Sequence, residues 1–225
     1  MFLTLLFQNP ALFLAWLLAV FLSLSLHEFS HALMAKARGD RTAEREGRLS
    51  LNPFDHIDPA GLIAFLVLGF GWAKPVPYNP YNLKNPKWDS VAIALAGPGM
   101  NLIVAILSAF IFRLLLPSLG PANLLTAFLF LLVFLNITLM VFNAVPVHPL
   151  DGSKLLFALF DGPHHAALRA FIAVRGPQIL LLLAIISIFT PYDPFFFVTG
   201  PSHALCSAFV GTNCMNVLNF LFSPV

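Results

Sequence analysis

Long runs of residues without a charged side chain dominate this sequence. The first 26 residues contain no Asp, Glu, Lys or Arg, and residues 90–112 are uncharged between Asp89 and Arg113. Of the 225 residues, 59% are hydrophobic and only 10% are charged, against roughly 25% charged in a typical soluble domain. Because a soluble protein needs a polar surface, this pattern excludes a soluble globular enzyme, a disordered chain and a nucleic-acid binder that relies on a basic patch. It predicts a polytopic membrane protein.

The apolar runs also predict the architecture, because a membrane-spanning helix needs about 20 mainly apolar residues. We predict an all-α protein, a bundle of about 4–6 transmembrane helices with a re-entrant or loop element between the first two long spans. The predicted spans lie at about residues 11–34, 90–112, 123–143 and 176–190. Residues 195–225 are apolar but interrupted at Gly200-Pro201 and Gly211, which leaves a last span or a membrane-surface element open.

The short apolar stretch at residues 59–73 is the predicted re-entrant element. It is uncharged, but it is shorter than an ordinary span, and the loop after it is rich in lysine and proline. Because the loops on both sides of this stretch are basic, we expect both loops to be cytoplasmic. This favours a re-entrant element over a thin membrane span. Irregular backbone at membrane depth is tolerated where protein or a water-filled cavity surrounds it.

The most charged segment follows the first span and predicts the topology. Its basic residues outnumber its acidic ones: Lys36, Arg38, Arg41, Arg45 and Arg48 against Asp40, Glu44 and Glu46. By the positive-inside rule, this loop is cytoplasmic and the N-terminus lies outside. The apolar N-terminal run lacks a basic beginning and a small-residue cleavage site, so we do not expect a cleavable signal peptide.

A His-Glu-x-x-His sequence near the end of the first span carries the chemistry. A helix advances about 100° per residue, so His27 and His31 lie on one face, one turn apart, where both imidazoles can bind one metal ion. Glu28 lies beside them and can act as a general base. Ionisable residues inside a membrane helix are costly, so three within five positions indicate a functional site rather than polar capping of the span.

A third ligand is needed, because a catalytic zinc usually has three protein ligands and one open position. Asp151 is the other isolated acid in a suggestive place, just after an apolar span and two helix-breaking prolines, Pro146 and Pro149. An ordinary turn that ends a helix is the alternative. His148 lies in the same segment and is the next candidate. From Pro10 to His27 the helix would run about 25 Å, which places the metal inside the membrane near its cytoplasmic face.

Three motifs together resemble those of the site-2 protease family of intramembrane zinc metalloproteases. The first is the His-Glu-x-x-His helix. The second, G-x-x-x-N, is matched by Gly97 and Asn101 in the middle span. The third, N-x-x-P-x-x-P-L-D-G, is complete from Asn143 to Gly152. The motifs stand in the family's order and cover residues 27–152, about half of the chain.

The resemblance implies an intramembrane zinc metalloendopeptidase that hydrolyses peptide bonds of membrane-embedded proteins or peptides. It implies one Zn²⁺ per chain, held by His27, His31 and Asp151, with Glu28 as the catalytic general base. Asn101 and Asn143 are implied to position the substrate or the oxyanion. We expect residues 1–160 to form the metalloprotease core and residues 161–225 to add C-terminal membrane segments of the same domain. The lipid bilayer is the surrounding partner, and no nucleic-acid partner is expected.

Two alternatives remain at this point: a catalytically inactive homologue, and a zinc-binding membrane protein such as a transporter or a sensor. An intact Glu28 argues against both, because metal binding alone does not need it, and a transporter would more often show internal repeats. The remaining histidines are interpreted as structural or surface residues: His56, His164, His165 and His203. The two cysteines are interpreted as small buried residues.

Overall fold

The computed structural model describes residues 2–68 and 71–223 and is built from α-helices joined by loops. Within the described residues, four segments are long and apolar enough to cross a membrane, or five if a helix pair bent by 94° near the C-terminus counts as one more. The helices are α1 (Phe2–Gln8), α2 (Pro10–Ala37), α3 (Thr42–Arg45), α4 (Pro59–Leu68), α5 (Pro86–Leu119), α6 (Leu124–Ala144), α7 (Gly152–Leu159), α8 (Ala166–Phe189), α9 (Phe196–Val210) and α10 (Cys214–Phe222).

Helix α6 forms the centre of the bundle and packs against α2, α5 and α9. One side of α6 contributes Phe130 and Val133 to a cluster with α5, α9 and α10, and the other contributes Leu131 to a cluster with α2. A buried polar contact also joins two of these helices, since the Asn136 amide donates a hydrogen bond of 2.7 Å to Ser23 Oγ. The all-helical membrane bundle predicted from the sequence is therefore confirmed.

The element between the first two long spans does not cross the membrane. Helix α4 has 10 residues, about 15 Å of helix at 1.5 Å per residue, whereas the hydrocarbon core is about 30 Å thick. An isolated antiparallel bridge pairs Ile57 with Ala73, and Lys74 N donates to His56 O at 2.8 Å. The chain therefore leaves this element beside the point where it enters, as a re-entrant hairpin requires.

The predicted boundaries are wrong where proline or glycine suggested a helix end. Helix α5 extends past the predicted end at residue 112, through Pro117 to Leu119, and α8 begins ten residues before Gly176 and passes through Pro177. Neither does Pro201 interrupt α9. Proline costs a helix one hydrogen bond, and neighbouring groups in membrane bundles compensate for that loss. Gly211 does end α9, in a left-handed conformation with φ of +77°.

The two cysteines are buried, but they are not independent small residues as the sequence suggested. Cys206 in α9 and Cys214 at the start of α10 form a disulfide with a Cα–Cα distance of 5.8 Å. The break at Gly211 turns the chain and brings α10 back against α9. The two cysteines are eight residues apart in the sequence. If this segment were one continuous helix, that spacing would not indicate a disulfide.

A buried carboxylate fixes the loop after the hairpin to the end of α2. Asp40 is fully buried; its Oδ1 accepts hydrogen bonds from the Thr42 hydroxyl at 2.6 Å and from the Asn82 amide at 2.8 Å. Its Oδ2 accepts one from the Asn79 backbone N–H at 2.7 Å. Burial raises the pKa of Asp40, but the hydrogen bonds from Asn82, Thr42 and Asn79 outweigh it and hold the pKa below its ordinary value.

We expect Asp40→Asn to destabilise the protein by about 1–3 kcal/mol. The substitution removes charge-assisted hydrogen bonds, and the new amide NH₂ group faces groups that are themselves hydrogen-bond donors. In thermal unfolding of detergent-solubilised protein, this lowers Tm by several degrees. Since folding lowers the pKa of Asp40, the stabilisation is present above its unfolded pKa of about 3.9 and disappears as the pH falls through the folded value. The difference between wild type and variant should therefore shrink below about pH 4. The exposed Glu46→Gln is the matched control, and an equal loss in both variants would contradict the assignment.

Candidate metal centre and active site

Helix α2 brings three site side chains to one position in the bundle. His27, Glu28 and His31 are all buried, with 5%, 9% and 7% of their surface exposed. The four-residue spacing puts both imidazoles on the same face, and their rings meet edge to face with centroids 4.6 Å apart. Both Nε2 atoms point to the same place, because they lie 3.0 Å from each other.

The turn between α6 and α7 supplies the acid. Asp151 is the residue before α7, and Gly152 follows it. A Cβ on Gly152 would lie 2.3 Å from the Ala144 carbonyl oxygen, so only glycine allows the start of α7 to pack this closely against the end of α6. This contact folds the segment around Pro146 and Pro149 back towards α2, where the Asp151 carboxylate meets the two histidines.

The three side chains converge as a metal site requires. Asp151 Oδ2 lies 3.3 Å from His27 Nε2 and 3.4 Å from His31 Nε2. A tetrahedral zinc with bonds of about 2.0–2.1 Å separates its ligand atoms by about 3.3 Å, so the spacing fits. Asp151 Oδ2 is buried and has no hydrogen-bond partner among the described residues. Two imidazoles and a carboxylate are a donor set typical of catalytic zinc. Within the described residues, these three form the group suited to holding a metal ion.

A backbone contact fixes the orientation of His31. Its Nδ1 lies 2.7 Å from the carbonyl oxygen of Ile93 in α5. Because a carbonyl only accepts, Nδ1 carries the proton, and Nε2 keeps its lone pair for a metal ion. Such a contact from the second ring nitrogen is typical of metal-binding histidines. No sequence pattern identifies Ile93, since the contribution comes from its backbone.

Gly97 allows α5 to approach the two histidines. A Cβ at this position would lie 2.5 Å from His27 Cε1 and 2.5 Å from His31 Nε2. The first residue of the G-x-x-x-N motif is therefore glycine because any side chain would occupy the space of the imidazoles. Gly99, two residues later in the same helix, faces open space. The structure thus gives the motif glycine a physical role that the sequence did not.

A cavity of about 600 Å³ opens onto the three converging side chains. Glu28 lines this cavity beside His27 and His31 but is not part of the converging group. Trp72 at the end of the hairpin and Tyr78 beyond it also line this cavity. The carboxylate of Glu28 can therefore reach a molecule in the cavity without binding the metal itself.

The two asparagines predicted to position the substrate occupy different places. Asn143 lines the cavity, and its amide donates to the Leu139 carbonyl at 3.1 Å. Asn101 is fully buried, does not line the cavity and has no hydrogen-bond partner for either amide atom among the described residues. His148 does not join the group of candidate ligands. Burial, and then the nearby charge of Lys154, lowers the pKa of His148.

Lys154 is a cavity residue that sequence analysis did not identify. It lies three residues after Asp151 in α7, lines the cavity and places its ammonium 5.8 Å from the centre of the Tyr78 ring. Helical spacing was the available signal, because residues three apart share a face. Fold and site together define a class: a multi-pass membrane protein in which two buried histidines and a half-buried aspartate could hold a metal ion beside a glutamate, the arrangement of zinc metallohydrolases.

Comparison with known proteins supports this class and gives the family. The family model of peptidase family M50 matches residues 15–120. "Putative zinc metalloprotease YwhC" of Bacillus subtilis is 39% identical over 145 residues, covering 62% of this chain and 66% of that protein. "Putative zinc metalloprotease Rip2" of Mycolicibacterium smegmatis is 33% identical over 137 residues, covering 58% and 51%. The matching family is thus peptidase family M50, the site-2 protease family, to which the chain is similar over residues 15–120.

The similarity to these relatives is partial in length. The match spans between about half and two-thirds of the two relatives named. No solved structure gives a significant match to the chain. The resemblance stated from the three sequence motifs is confirmed at the level of the family.

Proposed function

We propose that the protein is an intramembrane zinc endopeptidase that cleaves membrane-embedded protein segments. The observation that carries this proposal is the convergence of His27, His31 and Asp151 within a cavity that Glu28 also lines. The relatives are named as zinc metalloproteases, which supports the same chemistry. An inactive homologue or a zinc-binding transporter would not need the glutamate beside the ligands, and no observation favours either.

His27 Nε2, His31 Nε2 and Asp151 Oδ2 would hold one zinc ion. When bound, zinc polarises the scissile carbonyl and lowers the pKa of the attacking water. Glu28 would accept a proton from a water molecule in the cavity that attacks the scissile carbonyl carbon. Glu28 then gives the proton to the leaving amine when the C–N bond breaks. The Asn143 amide, at the cavity wall, would donate to the substrate carbonyl; Asn101 would act indirectly, from its buried position one turn beyond Gly97.

The substrate must lose its helical hydrogen bonds before it can react, because a helix occupies its own carbonyl groups. Trp72 at the end of the hairpin and Pro75 and Val76 just after it line the cavity and lie outside the helices. An unwound substrate segment can add to such a backbone as an extra strand. Membrane-embedded proteins or peptides are therefore the proposed partners.

Cleavage of a transmembrane peptide by the detergent-solubilised protein tests the proposal. We expect cleavage that a chelator abolishes and zinc restores, with about one zinc per wild-type chain. Asp151→Ala should lower zinc affinity and abolish cleavage, since two histidines alone leave the site incomplete. The exposed Asp193→Ala is the control. Zinc-loaded wild-type protein that cleaves no peptide would favour a binding function instead.

We also propose that the metal centre lies near the cytoplasmic face, with the N-terminus of α2 outside. The charged segment after α2 supports this orientation. A cysteine placed at Ala43 would report poorly, because the structure buries Ala43 to 1% exposure. Glu46→Cys is exposed and suitable. We expect membrane-impermeant reagents to label it from the cytoplasmic side only; labelling from outside would reverse both the orientation and the depth of the site.

A further inference from the structure

A second, smaller pocket lies beside the active-site cavity. It has a volume of about 210 Å³ and is enclosed by α2, the α4 hairpin and α6. We call it the side pocket and define it by six of its wall residues: Phe21, Leu24, Leu62, Phe65, Thr138 and Leu139. None of the roles derived above uses this space.

The side pocket adjoins the active-site cavity. Leu24, Trp72 and Leu139 belong to the walls of both. Leu24 precedes His27 by three residues in α2, which is about 4.5 Å along a helix. A residue of an extended substrate that lies next to the scissile bond could therefore reach the side pocket with its side chain.

The walls of the side pocket favour an apolar occupant. The Thr138 hydroxyl donates to the Phe134 carbonyl at 2.8 Å, and the Asp58 carboxylate accepts from the Gly61 N–H at 2.8 Å, so both polar groups are used within the protein. His56 uses Nε2 to contact the Ser50 carbonyl at 2.7 Å. Its buried Nδ1 is left as an acceptor with no partner among the described residues.

The size of the side pocket suits one large apolar side chain. A cavity of about 150 Å³ with aliphatic and aromatic walls holds a benzene ring, so 210 Å³ accommodates a leucine, methionine or phenylalanine side chain. The glycines of the hairpin define one end, because a Cβ on Gly61 would lie 2.1 Å from the Trp72 carbonyl oxygen. The two arms of the hairpin therefore touch at this end.

We propose that the side pocket is a specificity subsite that binds one large apolar side chain of the substrate, adjacent to the scissile bond. The inference rests on the proposed function. It goes beyond that function by predicting which substrates are selected. An apolar pocket distinguishes side chains that differ by a few carbon atoms by about 10–200-fold in kcat/KM.

The experiment uses transmembrane peptides in which each position within three residues of the mapped cleavage site carries Ala, Leu or Phe. For wild-type protein we expect one position where Leu or Phe exceeds Ala by at least tenfold in kcat/KM. Thr138→Phe fills the side pocket and should reduce this ratio to about two. Leu62→Ala enlarges it and should shift the preference towards Phe and Trp. Leu125→Phe, on the exposed face of the same helix α6, is the control and should keep the wild-type ratio.

Binding separates this inference from the proposed function. The same peptides are titrated against Glu28→Gln protein with and without Thr138→Phe, and the ratio of Kd values for Ala and Leu or Phe is measured. A binding preference that Thr138→Phe removes supports the subsite even if no peptide is cleaved. The inference is overturned if no position prefers a large apolar residue, or if both Thr138→Phe and Leu62→Ala keep the wild-type ratios.

Discussion

Glu28→Gln is expected to keep the zinc and lose the activity. Glutamine has nearly the shape of glutamate but cannot take a proton from the attacking water. Because Glu28 lies outside the converging group of His27, His31 and Asp151, zinc content should stay near one per chain. Cleavage should fall by roughly the 10²–10⁴-fold that general acid–base catalysis contributes. Metal analysis and peptide cleavage are measured on the same preparation.

His27→Ala is the contrasting variant. It removes one of the three converging side chains, so zinc and activity should be lost together. A Glu28→Gln protein that cleaves at the wild-type rate would remove Glu28 from the mechanism, and one without zinc would make Glu28 a ligand. The pair of variants therefore separates a base from a ligand.

Gly97→Ala is expected to damage the metal centre although it adds a single methyl group. The new Cβ would lie 2.5 Å from both His27 Cε1 and His31 Nε2. These imidazoles cannot simply rotate away, because His31 is held by the Ile93 carbonyl and both rings face Asp151. Either α5 or the rings must shift. A displacement of about 1 Å in a catalytic site can lower the rate by about 100-fold, and we expect zinc affinity to fall with it.

Gly99→Ala is the matched control for Gly97→Ala. It makes the same chemical change in the same helix, where an added Cβ meets nothing within 4 Å. Alanine is favoured over glycine inside a helix by about 0.5–1 kcal/mol, so this variant should be active and at least as stable as wild type. Zinc titration and kcat/KM distinguish the two variants, and normal zinc binding by Gly97→Ala would contradict the close approach.

The sequence was most informative where a local periodicity determines the geometry. Helical spacing alone places His27 and His31 on one face. The number of long apolar runs predicts the number of candidate spans, because the bilayer sets the length that each must have. The sequence also predicts correctly that the apolar stretch at residues 59–73 is not an ordinary span, because it is shorter than the bilayer requires. The histidine pair and the spans can be predicted because they depend only on residues within one helix and on the lipid bilayer, which is the same for every span.

The predicted helix boundaries were least accurate where packing between helices compensates for a proline or a glycine inside a helix. The sequence predicts a span that begins at Gly176, but α8 begins ten residues earlier, at Ala166. Gly176 explains the difference, since a Cβ there would lie 2.3 Å from the His148 carbonyl oxygen. The helix is held by a close contact with a distant segment, and local propensity does not reveal that contact. The pairing of Cys206 with Cys214 likewise depends on the turn at Gly211.

The sequence by itself determined the membrane-embedded helices, the paired histidines and the adjacent glutamate, because each follows from residue type and spacing along one helix. It indicated Asp151 as the third ligand from its place after two helix-breaking prolines and from the family resemblance, without showing the contact. Only the tertiary structure decided how Asp151 reaches the histidines, why Gly97 has no side chain, which carbonyl orients His31 and where the side pocket lies. All of these depend on distances between residues far apart in the sequence, such as the 62 positions between His31 and Ile93, which are set by how α2, α5, α6 and α7 pack.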